Sequence, residues 1–126
     1  LTKEITENYD IISTESLTIS KMIMDKEHHL SKAISDATFN EILEQLEYKA
    51  KERGKYFYKI SPYYPSSQIC SVCNNIDKKY KNLDERMYEC NRCYSKLDRD
   101  FNASVNIMFE GLKLHIMAPM KNLSTR

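Results

Sequence analysis

The chain has 126 residues, 41% of them apolar and 29% charged, with a net charge of +1. That length admits one compact domain, or a small domain carrying a module, and the composition fits a soluble globular protein and excludes a disordered one. No run of about 18 apolar residues is present to cross a membrane, and the opening "LTKEITENYD" lacks the basic and apolar regions of a signal peptide. The first residue is Leu rather than Met, which raises the question of a preceding segment. Charge is graded along the chain. Residues 1–30 carry three Lys and six acidic residues, net −3, whereas residues 61–97 carry six Lys or Arg and four acidic residues, net +2. The second region is the one able to face phosphates.

In chain order, "NYDIISTESLTIS" predicts a short strand near Tyr9–Ser13, ending close to Glu15. "KMIMDKEHHL" reads as a loop or helical turn. "SDATFNEILEQLEYKAKERG" predicts a helix, because Phe39, Ile42, Leu43, Leu46 and Ala50 form one apolar stripe. Asp36, or Thr38 with Glu41 as a capping box, offers its start, and Gly54 suits its C′ position. "KYFYKIS" is a short aromatic strand, and "SPYYPSS" then breaks regular structure with two prolines. After the cysteines, Phe101, Val105, Met108, Phe109 and Leu112 predict a second amphipathic helix with Asp98 or Asp100 as its cap. The Met and aromatic residues of both helices are expected in the core, and the chain from Ala118 onward reads as a frayed tail. Strand, helix, strand, insertion and helix together predict an α/β layer with an inserted module.

All four cysteines stand in "CSVCNNIDKKYKNLDERMYECNRC" as two Cys-x-x-Cys units sixteen residues apart. Four thiolates at about 2.3 Å from one ion satisfy tetrahedral Zn²⁺, and each Cys-x-x-Cys turn sets two sulfurs on one side of a tight knuckle. The alternatives are two disulfides, an iron site or free thiols, and disulfides require an oxidising compartment that nothing here indicates. Residues 74–89 hold few apolar side chains, so a metal must hold the loop. A four-thiolate site leaves no open coordination position, so such a metal is structural. Zinc knuckles favour a positive φ just after the second cysteine, where Asn74 and Tyr94 stand; Tyr carries more strain there than Asn. His28, His29 and His115 show no partner spacing for a metal and are read as surface or packing residues.

"LDRDFNASVNIMFEGLK" follows the cysteines, and its two acidic residues at a helix start are by default caps and dipole partners. Taken with "YYPSSQICSVC" and "YECNRC", however, "LDRDFNASVNI" resembles the C-terminal region of the TnpB (OrfB) family of transposon-encoded proteins. "LSKAISDATFNEILEQLEYKAKERGKYFYKI" is similar to the family segment preceding the ribbon, so the resemblance runs from about Asp10 to Leu112. It implies an RNA-guided DNA endonuclease with an RNase H-type, RuvC-like domain into which a four-cysteine zinc ribbon is inserted. On this reading residues 1–61 and 98–117 are part of the RuvC-like layer, 62–97 the ribbon and 118–126 a tail. The location would be intracellular, cytoplasmic or nucleoid-associated.

The resemblance also implies site residues. Three carboxylates would bind two Mg²⁺ or Mn²⁺ ions, with Glu15 matching the second and Asp100 the third. Asp98 is the rival of Asp100 but better placed as a cap. Asn102 and Asn106 would lie near this site, while Ala103 and Val105 pack. The family's first acidic residue lies far upstream in a Gly-x-Asp context, and neither Gly54 nor Gly111, the only glycines, stands in one. The expectation is therefore a C-terminal half whose N-terminal half is missing. Lys78, Lys79, Lys81, Arg86 and Arg92 are candidate phosphate contacts, and Tyr80 and Tyr88 candidate stacking platforms for bases. DNA is the expected partner, with a guide RNA in the complete protein. Two other functions stay open: a nuclease completed in trans, and a plain zinc-ribbon adaptor in which Glu15 and Asp100 do nothing.

Overall fold

The computed structural model describes residues 1–16, 29–81 and 85–124. They form two compact units, Leu1–Pro62 and Tyr63–Arg126.

In the first unit, strand β1 (Ile11–Thr14) pairs in parallel with β2 (Tyr56–Lys59), in a register that sets Ile12 opposite Phe57. A parallel neighbour needs a long crossover, and helix α2 (His29–Glu52) lies within it. Backbone bonds Tyr56 N–H to Asp10 O (2.9 Å) and Ile60 N–H to Thr14 O (2.8 Å) close the ladder at either end. The predicted stripe of α2 faces inward as expected, with Leu43, Leu46 and Ala50 buried and Phe39 and Ile42 half-buried. Leu46 and Ala50 meet Ile12, with Ile42, Phe57 and Ile5 packed around them. Gly54 has φ +69°, and Lys55 N–H to Ala50 O (2.8 Å) with Gly54 N–H to Lys51 O (3.2 Å) completes a Schellman motif. The start of α2 differs from expectation. The described helix already includes His29, so Asp36 and Thr38 sit inside it and not at its cap. Nothing in "HLSKAIS" breaks a helix, so the capping signal had no boundary to mark. The segment 21–28, expected as loop or turn and including His28, lies outside the described residues.

Helix α1 (Thr2–Asn8) had no sequence signal. Seven residues do not hold a helix alone, and tertiary polar contacts hold this one. Lys49 Nζ donates to Thr2 Oγ1 at 2.6 Å, and Thr2 Oγ1 to Gln45 Oε1 at 3.0 Å. Arg53 donates to Thr6 Oγ1 and, at 3.1 Å, to the Lys3 carbonyl, and it pairs with Glu7 at 3.6 Å. Thr6 is fully buried and returns its hydroxyl proton to Thr2 O at 2.9 Å.

In the second unit a single 3-10 turn (Lys78–Lys81) precedes the hairpin of β3 (Met87–Glu89) and β4 (Lys96–Asp98), antiparallel with Tyr88 opposite Leu97. Helix α3 (Arg99–Ser124) follows directly. Asp98 is its N-cap, with Oδ1 accepting from Phe101 N–H at 3.0 Å. The helix continues past Ala118, through Pro119 to Ser124, where a frayed tail was expected. The expected burial of its apolar stripe is also corrected. Phe101, Met108 and Phe109 are 58%, 46% and 55% exposed, and among the described residues of the helix the buried side chains are Asn102 and Asn106. Within this unit α3 meets polar backbone, so its polar i, i+4 pair turns inward.

Candidate metal centre

Each half of the cysteine pattern folds as a knuckle, and the two are built alike. Cys70 N–H donates to Asn75 O (2.8 Å) and Asn74 N–H to Cys70 O (2.8 Å). Cys90 N–H donates to Ser95 O (3.0 Å) and Tyr94 N–H to Cys90 O (3.1 Å). Asn74 and Tyr94 adopt φ of +67° and +63°, as the spacing predicts. A side-chain bond from Asn75 Nδ2 to Asn91 Oδ1 (2.9 Å) ties one knuckle to the other.

The four Sγ atoms lie within 4.8 Å of one another. Cys70–Cys93 and Cys73–Cys90 are each 3.6 Å apart, too long for a disulfide of about 2.05 Å. A tetrahedron of about 2.3 Å metal–sulfur bonds has edges of roughly 3.8 Å, so these separations suit one four-coordinate ion. The environment also favours thiolates at two positions. Backbone N–H groups of Cys93 and Arg92, each 3.4 Å from Cys90 Sγ, lower the Cys90 pKa. Ser95, through its hydroxyl 3.2 Å from Cys93 Sγ and its backbone N–H, brings Cys93 to about 6. Burial pushes Cys70 up to about 11, a cost that a bound cation would offset. The donor set and its geometry fit a structural metal.

Behind the sulfurs stands a small aromatic core. Tyr80 and Tyr88 are 3% and 0% exposed, with ring centroids 4.4 Å apart. Tyr88 donates to Gln68 O at 2.8 Å; Tyr80 Oη donates to Glu89 O at 3.2 Å and accepts from Glu89 N–H at 3.0 Å. Neither ring can stack on a base, which corrects the role expected of them. The loop does have a core, made of two tyrosines and the cysteines they cover.

The candidate phosphate contacts Lys78, Lys79, Lys81, Arg86 and Arg92 are all exposed. Lys79 lies 3.8 Å from Asp77 and over the Tyr80 ring, 5.1 Å from its centroid. Glu15 is exposed directly after β1, in the first unit, and Asp100 is exposed in the first turn of α3, in the second. Asn102 and Asn106, expected near those carboxylates, grip the first knuckle. Asn102 Oδ1 accepts from Ser71 N–H (2.8 Å) and its Nδ2 donates to Ile69 O (2.7 Å). Asn106 Nδ2 donates to Ser66 O (2.9 Å) and Ile69 O (2.8 Å). The signal for this role was an Asn pair at i, i+4 beside an apolar stripe.

One unit of the chain is a four-cysteine hairpin module seated on a helix and the other holds a parallel β1–β2 pair with α2 in its crossover, which together define a mixed α/β protein with a candidate metal ribbon. Residues 39–107 match the model of the Cas12f1-like TNB domain, and the chain belongs to that family. Cas12f1 is a TnpB relative, so the resemblance read from the motifs holds. A Streptomyces pristinaespiralis protein, provisionally named an RNA-guided DNA endonuclease, is 35% identical over 111 residues, 88% of this chain and 26% of its own length. The CRISPR-associated endodeoxyribonuclease Cas12f1 of Sulfoacidibacillus thermotolerans is 31% identical over 91 residues, 72% of this chain and 21% of its own. The cryo-EM structure of a Cas12f1–sgRNA–target DNA complex superimposes with a TM-score of 0.55 at 20% identity. That match covers 84% of this chain and 31% of the other, a likeness of fold. The chain therefore spans about a quarter of the curated relatives it matches.

Proposed function

We propose that this chain is the C-terminal, zinc-ribbon-bearing part of a TnpB-type RNA-guided DNA endonuclease, and that by itself it binds DNA without cutting it. The observation that carries the reading is the four-cysteine cluster, with all sulfurs within 4.8 Å, inside the span that matches the family. Cys70, Cys73, Cys90 and Cys93 hold one structural Zn²⁺. The exposed Lys78, Lys79, Lys81, Arg86 and Arg92 contact phosphates. β1, α2 and β2 belong to a RuvC-like layer. Support comes from the parallel pairing of β1 with β2 and from the position of Glu15, just past the C-terminal end of β1, where open α/β sheets collect their ligands.

Glu15 and Asp100 are then two of three carboxylates for Mg²⁺ or Mn²⁺, and DNA and a guide RNA are partners of the complete protein. Activating the attacking water and stabilising the leaving oxygen each require a firmly fixed ion, which two carboxylates do not supply.

The test incubates the purified chain, its zinc content measured beforehand, with single- and double-stranded DNA and Mg²⁺ or Mn²⁺, beside Asp100→Ala. One zinc per chain, salt-sensitive DNA binding and no cleavage are expected. Absence of zinc, or of DNA binding at about 50 mM salt where phosphate contacts are strongest, would sink the reading. Cleavage that vanishes in Asp100→Ala would show that the site is complete in this chain or across two copies.

A further inference from the structure

We infer that Asn102 and Asn106 couple metal occupancy of the four-cysteine cluster to the order of the first turns of α3, where Asp100 stands. The inference rests on the zinc reading above and deepens it. Both amides are buried, Asn102 completely and Asn106 to 3% exposure, and both reach the same stretch of chain. Ser71, whose N–H binds Asn102 Oδ1, lies between the cysteines of the first knuckle. Ile69, whose carbonyl accepts from both Nδ2 groups, directly precedes Cys70 and forms a β-bridge with Ile76 across the knuckle. Asn106 reaches further back to Ser66 O, and Tyr64 Oη donates to the Asn106 carbonyl at 3.3 Å. The helix thus holds the backbone on both sides of Cys70.

The direction of information follows from that geometry. A bound ion fixes Cys70 and Cys73 and so fixes the Ile69 carbonyl and the Ser71 N–H. These are the groups that satisfy two buried amides, and buried amides without partners are costly. With the ion gone the knuckle moves, the amides lose their partners, and the helix face bearing them must open toward water. Coupling of this kind is reciprocal, so an order imposed on α3 returns as tighter metal binding. Polar groups that orient ligands from behind typically govern metal affinity by about 10- to 100-fold. Asp100 lies two residues before Asn102 on the same helix. Metal in the ribbon would therefore hold the turn that presents this carboxylate, which makes the two asparagines positioning residues.

The experiment uses the full chain. Zinc affinity is measured by competition with a chromogenic chelator, and amide hydrogen exchange is followed residue by residue with zinc bound and after stripping. In the parent, stripping zinc should accelerate exchange at Ser71 and at Ala103–Ile107 together. Asn102→Ala should bind zinc about tenfold or more weakly, and its α3 exchange should no longer follow zinc. Should Asn102→Ala not fold, Asn106→Ala, which leaves the Ser71 bond in place, makes the same comparison. Variants that bind zinc as the parent does, or α3 exchange in the parent that ignores zinc, would overturn the coupling while leaving the zinc site standing. A parent that takes up no zinc would overturn both.

Discussion

Replacing Tyr88 separates what the aromatic core contributes from what the metal contributes. Its hydroxyl donates to Gln68 O at 2.8 Å and lies 3.4 Å from Asn75 O. Neither carbonyl depends on it. Gln68 O also accepts from Asp77 N–H (2.9 Å) and Asn75 O from Cys70 N–H (2.8 Å). Tyr88→Phe therefore orphans no buried acceptor and should cost about 1 kcal/mol, the ordinary net value of one hydrogen bond. Tyr88→Ala removes a fully buried ring packed 4.4 Å from Tyr80, a loss of about 3–5 kcal/mol. Where folding and metal binding are one equilibrium, those costs appear as lost zinc affinity. At about 1.4 kcal/mol per tenfold, the expected losses are roughly fivefold for Tyr88→Phe and two to four orders of magnitude for Tyr88→Ala. Chelator competition at fixed pH measures both, with circular dichroism reporting that helix is retained. Parental affinity in Tyr88→Ala would show that ring packing and metal binding are independent. A Tyr88→Phe as damaged as Tyr88→Ala would refute the argument that both carbonyls stay satisfied.

Other perturbations test other parts of the molecule. Leu46→Ala, at a site 4% exposed against Ile12 and Ala50, should lower stability by about 2–5 kcal/mol in thermal or urea unfolding while zinc uptake stays at the parental level. The Lys55 ammonium, 2.5 Å from Asp10, holds the Asp10 carboxyl below its ordinary 3.8 through a hydrogen bond and charge attraction. The stabilisation from this pair is complete above that ordinary value and disappears as pH falls through the lower folded one. An NMR titration should show the shift, and Lys55→Met should abolish it. Replacing Lys78, Lys79 and Lys81 together by Gln should weaken DNA binding and flatten the log–log salt dependence by up to about 2.7, three phosphate contacts' worth; an unchanged slope would mean that these side chains touch no phosphate.

The parts legible in the sequence are those fixed by local chemistry. Cysteine spacing encodes the two knuckles down to the positive φ at Asn74 and Tyr94, Gly54 marks the end of α2, and Asp98 caps α3. Periodicity found both long helices, and for α2 it also found the buried face. For α3 it found the helix and missed the face, because an apolar stripe reports what a helix can bury, whereas knuckle backbone offers only N–H and C=O groups to bury against. The pair Asn102 and Asn106 answers those groups, a match visible only once the fold brings residues 66–71 to the helix. Helix α1 was silent for a related reason, since Lys49 and Arg53, more than forty residues away, hold its threonines. Tyr80 and Tyr88 misled as a pair: in a lysine-rich loop they resemble a base-stacking surface, and only their burial shows them to be the core.

That burial changes how the basic face works. Tyr80 belongs to the same 3-10 turn as Lys78, Lys79 and Lys81, and it is anchored at both ends. Its hydroxyl is held by the backbone of Glu89, while its carbonyl accepts from Arg99 Nη2 at 2.8 Å and from Ser67 Oγ at 3.4 Å. Arg99 is the first residue of α3, and its N–H donates to Arg86 O at 2.7 Å. The lysines therefore project from a turn fixed to the ribbon core and to the helix start, and not from a loose loop. A charge on a fixed platform loses less entropy on meeting a phosphate than one that must first be ordered. Long side chains keep their own rotamer freedom, so this preorganisation sets where the positive charge lies without dictating a base sequence.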